Sequence, residues 1–191
     1  MEFSSFDTLA MVVISIVFNW VTIANGINAS ISLHVEGLGF HRTFKYRVDV
    51  NEVSTETSCI ALYFELPSAL YVDPDELAGL LRLGKLIGCS QGETNVELFT
   101  EKAGPQNLTI CSPISDMSSS TTFLLPIHRR YQFAKLNGTY AQIFLQRPRL
   151  FIGSVNKNEE HRVSVVNLCS PCTSISHKWL EIFYEFVSTP A

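Results

Sequence analysis

Residues 43–50 read TFKYRVDV and contain the clearest secondary-structure signal in the chain. Apolar side chains occupy every second position, at Phe44, Tyr46, Val48 and Val50. Charged side chains fill the positions between them, at Lys45, Arg47 and Asp49. Because successive side chains of a strand point to opposite faces of a sheet, this alternation predicts a strand with one buried and one solvated face.

Further short runs rich in β-branched and aromatic residues lie on both sides of that strand. They are ISLHV (31–35), CIALYFEL (59–66), NVELFT (95–100), TTFLLPI (121–127), YAQIFLQ (140–146), RLFIG (149–153) and RVSVVNL (162–168). Residues 178–187, KWLEIFYEFV, fit either a last strand or an amphipathic helix, and their aromatic density favours the strand. Turn residues separate the runs, so the sequence predicts an all-β domain, either a sandwich or an open barrel.

One short helix is predicted near residues 74–83. Asp73 is suited to cap it, Pro74 has no N–H group to leave unpaired at the first helical position, and Glu76 lies three residues after the cap. Asp75 and Glu76 would also place negative charge at the positive end of the helix dipole. An apolar stripe follows at Leu77, Leu80 and Leu81, and Gly84 offers an exit.

The same stretch contains Asp73-Pro74-Asp75, an Asp-x-Asp triplet of the kind that metal-dependent glycosyltransferases use to hold a nucleotide-sugar diphosphate. A metal-holding triplet needs a loop at the end of a nucleotide-binding sheet, and the sequence shows no alternation of strands and helices that would build one. The cap is therefore the favoured interpretation. A small glycosyltransferase using Asp73 and Asp75 is the less favoured one, and neither a metal nor a cofactor is predicted.

Composition and charge narrow the class of protein. The chain has 191 residues, 46% of them hydrophobic and 17% charged, which is enough apolar material for one folded domain. The formal net charge is −4 and no cluster of Lys and Arg occurs. Because nucleic-acid binding needs a focused positive surface, nucleic acid is excluded as a partner.

The N-terminus indicates translocation across a membrane. Residues 9–24, LAMVVISIVFNWVTIA, resemble a signal-peptide core, so we expect a signal peptide or uncleaved signal anchor at 1–24 and one β-rich domain at 25–191. The preceding residues carry no Lys or Arg, unlike the usual positive start, and a buried N-terminal strand or helix is the alternative. Three N-glycosylation sequons support translocation, at Asn28, Asn107 and Asn137.

Five cysteines are compatible with an oxidising compartment, in which up to two disulfides would form. They are Cys59, Cys89, Cys111, Cys169 and Cys172. Five cysteines allow fifteen two-bridge patterns, and the sequence leaves the choice open. Residues 169–172, CSPC, have the spacing of a redox motif but not its strand-to-helix setting, so a structural role is favoured.

Two further groups of polar residues merit attention. His41 and His128 would serve as general bases in an enzyme, but hydrogen-bonded histidines at strand ends explain them better. Arg129 and Arg130 would clamp a phosphate on a lipid or sugar. Because neighbouring residues of a strand point to opposite faces, only one of the two arginines would reach a shared site.

Three stretches in this order resemble the PIG-X family, whose members are accessory subunits of glycosylphosphatidylinositol (GPI) mannosyltransferase I. They are GFHR (39–42), LPSALYVDPDEL (66–77) and LPIHRRY (125–131). The resemblance runs from about Gly37 to Phe151. Members of this family typically end in one membrane-spanning helix, whereas residues 165–191 contain no apolar run long enough to cross a bilayer.

The resemblance implies an all-β domain on the lumenal side of the endoplasmic reticulum membrane. There it would bind and stabilise PIG-M, the catalytic subunit that adds the first mannose to the GPI precursor. The catalytic Asp-x-Asp of the complex would belong to PIG-M, leaving this chain without catalytic residues or a small-molecule substrate. Exposed groups in the motifs, Arg42, Tyr71 and Arg130, are the candidate contacts, although core packing or capping explains each of them better. A secreted β-sandwich that binds an extracellular ligand is the alternative.

Overall fold

The structure is a computed structural model that describes residues 28–51, 57–114, 120–134, 142–154, 168–176 and 178–188. The predicted signal segment at 1–24, the sequon at Asn137 and most of the predicted strand at 162–168 lie outside these residues. The strands are β1 (Ala29–Glu36), β2 (His41–Val50), β3 (Thr57–Leu66), β4 (Leu70–Tyr71), β5 (Ile87–Gly92), β6 (Gln106–Pro113), β7 (Ser120–Arg129), β8 (Arg149–Ser154), β9 (Lys178–Ile182) and β10 (Glu185–Ser188). The helices are α1 (Pro74–Arg82) and α2 (Cys172–Ile175).

The strands form two five-stranded sheets, which confirms the all-β prediction and favours the sandwich over the open barrel. The first sheet has the order β10-β1-β2-β7-β4 and the second has the order β5-β6-β3-β8-β9. Neighbouring strands in the described chain are antiparallel, with one exception. That exception is the parallel pair of β1 and β10, which joins the first strand to the last.

The alternation in 43–50 directs one face of β2 into the core, as predicted. Tyr46, Val48 and Val50 are buried there. The ring of Tyr46 meets that of Phe64 from β3 edge to face, with 5.1 Å between ring centroids. Burial raises the pKa of the Tyr46 hydroxyl well above its ordinary value, because the phenolate would lose its hydration. Each large apolar side chain buried between the sheets contributes about 1.5–3 kcal/mol to stability.

Helix α1 starts and ends close to where the sequence predicts. Asp73 is the residue that caps it, and the Asp73 side chain accepts a hydrogen bond from the Asp75 N–H at 2.8 Å. Leu77 is buried in the core, whereas Leu81 is 38% exposed at the edge of the predicted stripe. The chain leaves the helix through Gly84 with a φ of +65°, a backbone conformation that glycine adopts without strain.

Two predicted strands are wrong in their described parts. Residues 95–100 form turns, because side chains there bond to the backbone: the Asn95 N–H donates to Glu93 Oε1 and the Glu97 N–H donates to Asn95 Oδ1. Such bonds compete with the ladder bonds of a sheet. Residues 142–148 are irregular, although Ile143 and Leu145 pack against the core with strand-like alternation.

Strands β5 and β6 were not predicted from the sequence. The β5 sequence, IGCSQG, has low β-propensity, and Gly88 lies tightly against Ile110 of β6. In β6 the four consecutive residues 108–111 are all buried, so the expected alternation of buried and exposed positions is missing there. The predicted last strand exists as two, β9 and β10, which belong to different sheets.

A buried amide links the start of β6 to the segment that follows β4. The Val72 N–H donates to Gln106 Oε1 at 2.8 Å, and Gln106 Nε2 donates to the Val72 carbonyl oxygen at 3.0 Å. Both residues are almost fully buried. The Gln106 side chain thus pairs with the backbone of Val72 as a neighbouring strand would.

Two disulfides attach residues 168–176 to the outer face of the second sheet. They join Cys89 to Cys169 and Cys111 to Cys172, across sequence separations of 80 and 61 residues. Cys59 lies outside both bridges and is buried. Cross-links that close such long loops restrict the unfolded chain, which raises the free energy of unfolding. Residues 169–172, CSPC, therefore bridge to other strands instead of to each other.

Gly153 on β8 allows the attached segment to approach closely. A Cβ atom at this position would lie 2.3 Å from Cys59 Sγ and 2.7 Å from Ser176 Cβ. Real Cβ atoms do not come this near to other heavy atoms. The absence of a side chain at Gly153 is therefore what lets Ser176 pack over the sheet.

No helix in the described residues is long and apolar enough to cross a bilayer.

Candidate functional site

The three motif stretches, far apart in sequence, meet at one end of the first sheet. His128 of β7 lies opposite His41 of β2 on one side and opposite Tyr71 of β4 on the other. The Arg129 N–H donates to the Phe40 carbonyl oxygen, which continues the pairing beyond the start of β2. This end of the sheet is therefore the candidate functional site.

A histidine pair joins the strands on the outer face of this end. The Nδ1 atoms of His41 and His128 are 2.6 Å apart, and His128 Nε2 lies 2.7 Å from Glu76 Oε2 on α1. Because a carboxylate only accepts hydrogen bonds, His128 donates to Glu76 through Nε2, and in the contact between the two Nδ1 atoms one ring donates and the other accepts. Tyr71 stacks on His128 with ring centroids 5.1 Å apart. Glu76 thus holds His128 beside the helix. From the sequence, Glu76 was expected to complete the helix cap.

Arg130 is a buried support of the site. It is 3% exposed, and its Nη1 donates to the carbonyl oxygens of Asn95 at 2.6 Å and Leu98 at 3.3 Å. Its guanidinium lies 4.7 Å from the ring centroid of Tyr71, a cation–π contact. Burial lowers the pKa of Arg130 and raises that of Tyr71, in both cases because the charged form loses water. Arg130 therefore holds the turns of residues 95–100 against the sheet.

Four aromatic side chains form a row on the surface next to this support, which we call the aromatic ridge. Its members are Phe40, Tyr131, Phe99 and Phe133, which are 39–65% exposed. Phe40 and Tyr131 are 4.9 Å apart between ring centroids, Tyr131 and Phe99 are 6.4 Å apart, and Phe99 and Phe133 are 4.8 Å apart. Sequence reasoning missed this row, because its members come from three loops. The available signal was that Phe40, Tyr131 and Phe133 are aromatic residues outside the predicted strands.

A cleft lies beside the ridge, at the mouth of the sandwich. Its volume is about 310 Å³, and its lining consists of Arg42, Phe44, Leu70, Ile127, Arg129, Ile143 and Leu145. The Arg129 guanidinium lies 5.8 Å from the ring centroid of Phe40, so the cleft and the ridge adjoin. Arg129 and Arg130 reach different surroundings, as neighbouring residues of a strand should.

The triplet at Asp73-Pro74-Asp75 takes part in the helix start. Asp73 uses Oδ1 for the cap, and Asp75 is exposed in the first turn. Across the described ranges, no group of three or more His, Cys, Asp or Glu side chains is arranged to hold a metal ion. The described side chains at this end offer surfaces for stacking, apolar contact and recognition of anions.

The predicted sequons fall in different surroundings. Asn28 is exposed just before β1, where a glycan would meet solvent. Asn107 lies within β6 and is half-buried, between Glu65 of β3 and Gln91 of β5. Of the two, Asn28 offers more room for a glycan in the folded domain.

The fold and the site define a β-sandwich domain with an aromatic surface at one end. Comparison with protein families gives the particular family: the model described as PIG-X / PBN1 matches residues 37–189. The chain therefore belongs to the PIG-X / PBN1 family, which confirms the resemblance found in the motifs. Membership implies an accessory role in GPI mannosyltransferase I, and with it association with GPI-anchor biosynthesis in the endoplasmic reticulum.

Other comparisons add little. No curated protein matches the sequence significantly. Among solved structures, the chain is similar to a protein in the crystal structure of a mutant type II cohesin-X-dockerin complex from Acetivibrio cellulolyticus, at 12% identity. The match covers 84% of this chain and 95% of that one with a TM-score of 0.29.

Proposed function

We propose that this chain is the non-catalytic, stabilising subunit of GPI mannosyltransferase I and that it binds the catalytic subunit PIG-M. The domain at 25–191 lies on the lumenal side of the endoplasmic reticulum membrane, delivered there by residues 1–24. Family membership and two disulfides that need an oxidising compartment support this proposal. The observation that carries it furthest is the aromatic ridge.

The ridge has the composition of a protein-binding surface. Aromatic residues and Arg are enriched where binding energy concentrates, because large rigid rings bury much area and lose little conformational entropy. Phe40, Phe99, Tyr131 and Phe133 form a contiguous apolar row at the surface. Contiguous exposed apolar surface on a folded domain marks a site of interaction.

The ridge is also held in place before a partner arrives. The Thr100 N–H donates to the Tyr131 carbonyl oxygen at 2.8 Å, which joins two of the contributing loops. The Phe133 N–H donates to the carboxylate of Glu101 at 3.2 Å. Buried Arg130 fixes the same turns from below. A preorganised surface loses less entropy on binding, and more of its contact energy appears as affinity.

Stabilisation of the partner then follows from mass action. A subunit that binds only folded PIG-M raises the free energy of unfolding of PIG-M by RT ln(1 + [L]/Kd), about 2.7 kcal/mol at a hundredfold excess over Kd. A change of this size alters the abundance of a protein in the cell several-fold. The accessory role therefore requires no catalytic residue on this chain.

Co-purification with PIG-M from detergent-solubilised endoplasmic reticulum tests the proposal. We expect Tyr131→Ser with Phe133→Ser to reduce the recovered PIG-M about tenfold or more, because hot-spot aromatic residues contribute about 2 kcal/mol or more each. Phe183→Ser is the matched control, because Phe183 is an aromatic residue that is 98% exposed. Phe183 lies beside Asn51 at the far end of β2, and the length of that strand places it about 30 Å from the ridge.

Recovery of PIG-M at the wild-type level with a folded double variant would contradict the ridge as the binding surface. Loss of PIG-M with Phe183→Ser alone would place the interface at the opposite end of the sandwich. Absence of PIG-M from preparations of the unaltered chain would contradict the proposed partner itself.

A further inference from the structure

The cleft beside the ridge combines two arginines with an apolar lining. Arg42 of β2 lies opposite Ile127 of β7, so Arg129 is its diagonal neighbour across the strand pair. Such neighbours have Cα atoms about 7–8 Å apart, which brings both guanidinium groups within reach of one small anion. The rest of the lining is hydrocarbon, from Phe44, Leu70, Ile127, Ile143 and Leu145.

Both arginines keep hydrogen-bonding capacity that the described residues do not use. The Nε atoms of Arg42 and Arg129 are buried, and neither meets an acceptor in the described structure. The ion pairs formed between described residues likewise involve neither side chain. Buried donors without partners are uncommon in native proteins, and a ligand that brings acceptors would satisfy these two.

The lining specifies the chemistry of that ligand. Guanidinium groups only donate hydrogen bonds and match the geometry of phosphate and carboxylate. A ligand that fits therefore has acceptor oxygens and negative charge at one end and hydrocarbon at the other. We propose that the Arg42–Arg129 cleft binds an anionic amphiphile, with its phosphate between the arginines and its chain against Ile143 and Leu145.

Size and polarity favour an amphiphile over a peptide. The cleft volume of about 310 Å³ is at the lower end of the 300–1,000 Å³ typical of small-molecule pockets, so it holds a head group and the first part of a chain. A peptide would bring backbone N–H groups that need acceptors. The side chains that line the cleft offer none.

Calorimetric titration of the full chain in dodecyl maltoside tests the site, with octyl phosphate as the probe and titrations of empty micelles subtracted. We expect one molecule bound per chain. Arg42→Gln and Arg129→Gln should each weaken binding about tenfold or more, because a charge-assisted bond is lost. Arg47→Gln is the matched control: it lies on the same strand, is exposed, and bonds to Asp49 outside the cleft. It should stay within twofold of the unaltered chain.

Three other ligands distinguish the sources of binding. Inorganic phosphate tests the head group alone, octyl glucoside tests the chain with a neutral head, and acetyl-trileucine tests a peptide with a free carboxylate. We expect all three to bind at least about tenfold more weakly than octyl phosphate. Equal binding of phosphate or octyl glucoside would overturn the amphiphile assignment, and tighter binding of acetyl-trileucine would make the cleft a peptide site.

Two variants keep the test decisive if the glutamine variants misfold. Leu145→Trp should fill the apolar part and weaken octyl phosphate binding while both arginines remain. Arg42→Lys should keep the charge but lose the planar fork, giving an intermediate loss. Unchanged affinity in folded forms of these variants would refute the site. The ridge variant Tyr131→Ser with Phe133→Ser should still bind octyl phosphate, which separates this inference from the proposed partner binding.

Discussion

Replacing Gln106 by Leu should destabilise the domain strongly, because it removes one side chain that satisfies two buried backbone groups. The Val72 N–H and carbonyl oxygen both bond to the Gln106 amide, and both residues are almost fully buried. A leucine of similar size fills the space but neither donates nor accepts. The variant therefore leaves two polar groups without partners inside the sandwich.

The expected loss follows from that geometry. Each orphaned buried group costs about 1–3 kcal/mol, and the added apolar burial offsets about 1–2 kcal/mol of the sum. We expect a net loss of about 2–4 kcal/mol, which corresponds to a fall in Tm of about 4–16 °C for a chain of this length. Thermal unfolding of the full chain in neutral detergent, followed by near-UV circular dichroism, measures it.

Gln91→Leu provides the matched control. Gln91 lies on β5, the neighbouring strand of the same sheet, and its side chain is exposed. The same substitution there should change stability by no more than about 0.5 kcal/mol. A Gln106→Leu variant as stable as Gln91→Leu would refute the reasoning that the Val72 groups depend on this amide.

Three further predictions concern stability and catalysis. Cys111→Ser with Cys172→Ser should lower the free energy of unfolding by about 2–4 kcal/mol in denaturant titrations, and an unchanged midpoint would show that the bridge adds nothing. Gly153→Ala should lower the free energy of unfolding by about 1–3 kcal/mol, because its methyl group would overlap a neighbouring thiol sulfur. Gly79→Ala in α1, where an added Cβ would lie 4.0 Å from Arg82 Nη2, should leave the free energy of unfolding unchanged or raise it by up to about 1 kcal/mol. Asp73→Ala should cost about 1 kcal/mol through loss of the cap and leave mannose transfer by the assembled complex intact; loss of transfer by a folded variant would indicate a catalytic role.

Sequence reasoning predicted those elements in which the local pattern of side chains matches the burial of the element in the folded domain. In 43–50 the alternation of side chains matches a strand with one covered face, and β2 forms there. Around Asp73 the cap, the proline and the apolar stripe point to the same helix, and α1 forms there. In each place the information needed lies within about ten residues of sequence.

The parts that sequence reasoning missed depend on contacts made by distant residues. Strand β6 shows little alternation of buried and exposed side chains, because residues 168–176 cover its outer face. The sequence near β6 contains no sign of this distant covering segment. Residues 95–100 have strand-like composition, yet buried Arg130 holds them as turns from a position some thirty residues away. Tertiary contacts override local propensity in both cases.

Part of the candidate site was predictable from the sequence, and part of it depends on contacts between distant residues. The motif residues lie at one end of the sheet because β2, β4 and β7 are neighbours there. The buried position of Arg130 and the assembly of the aromatic ridge from three loops depend on the complete fold. The exposure of a single residue cannot be read from sequence when the segment that covers it is far away, so the sequence alone does not decide whether Arg130 lies in a contact surface or in the interior.

The parallel pairing of β1 with β10 has a consequence for biosynthesis. Residues 30–33 find their partners at 185–188, so the outer edge of β1 stays open until those residues have left the ribosome. An open strand edge is a template for pairing with other chains. A nascent chain stopped before residue 185 would therefore expose this edge to the quality-control machinery of the cell, and completion of the last strand closes it.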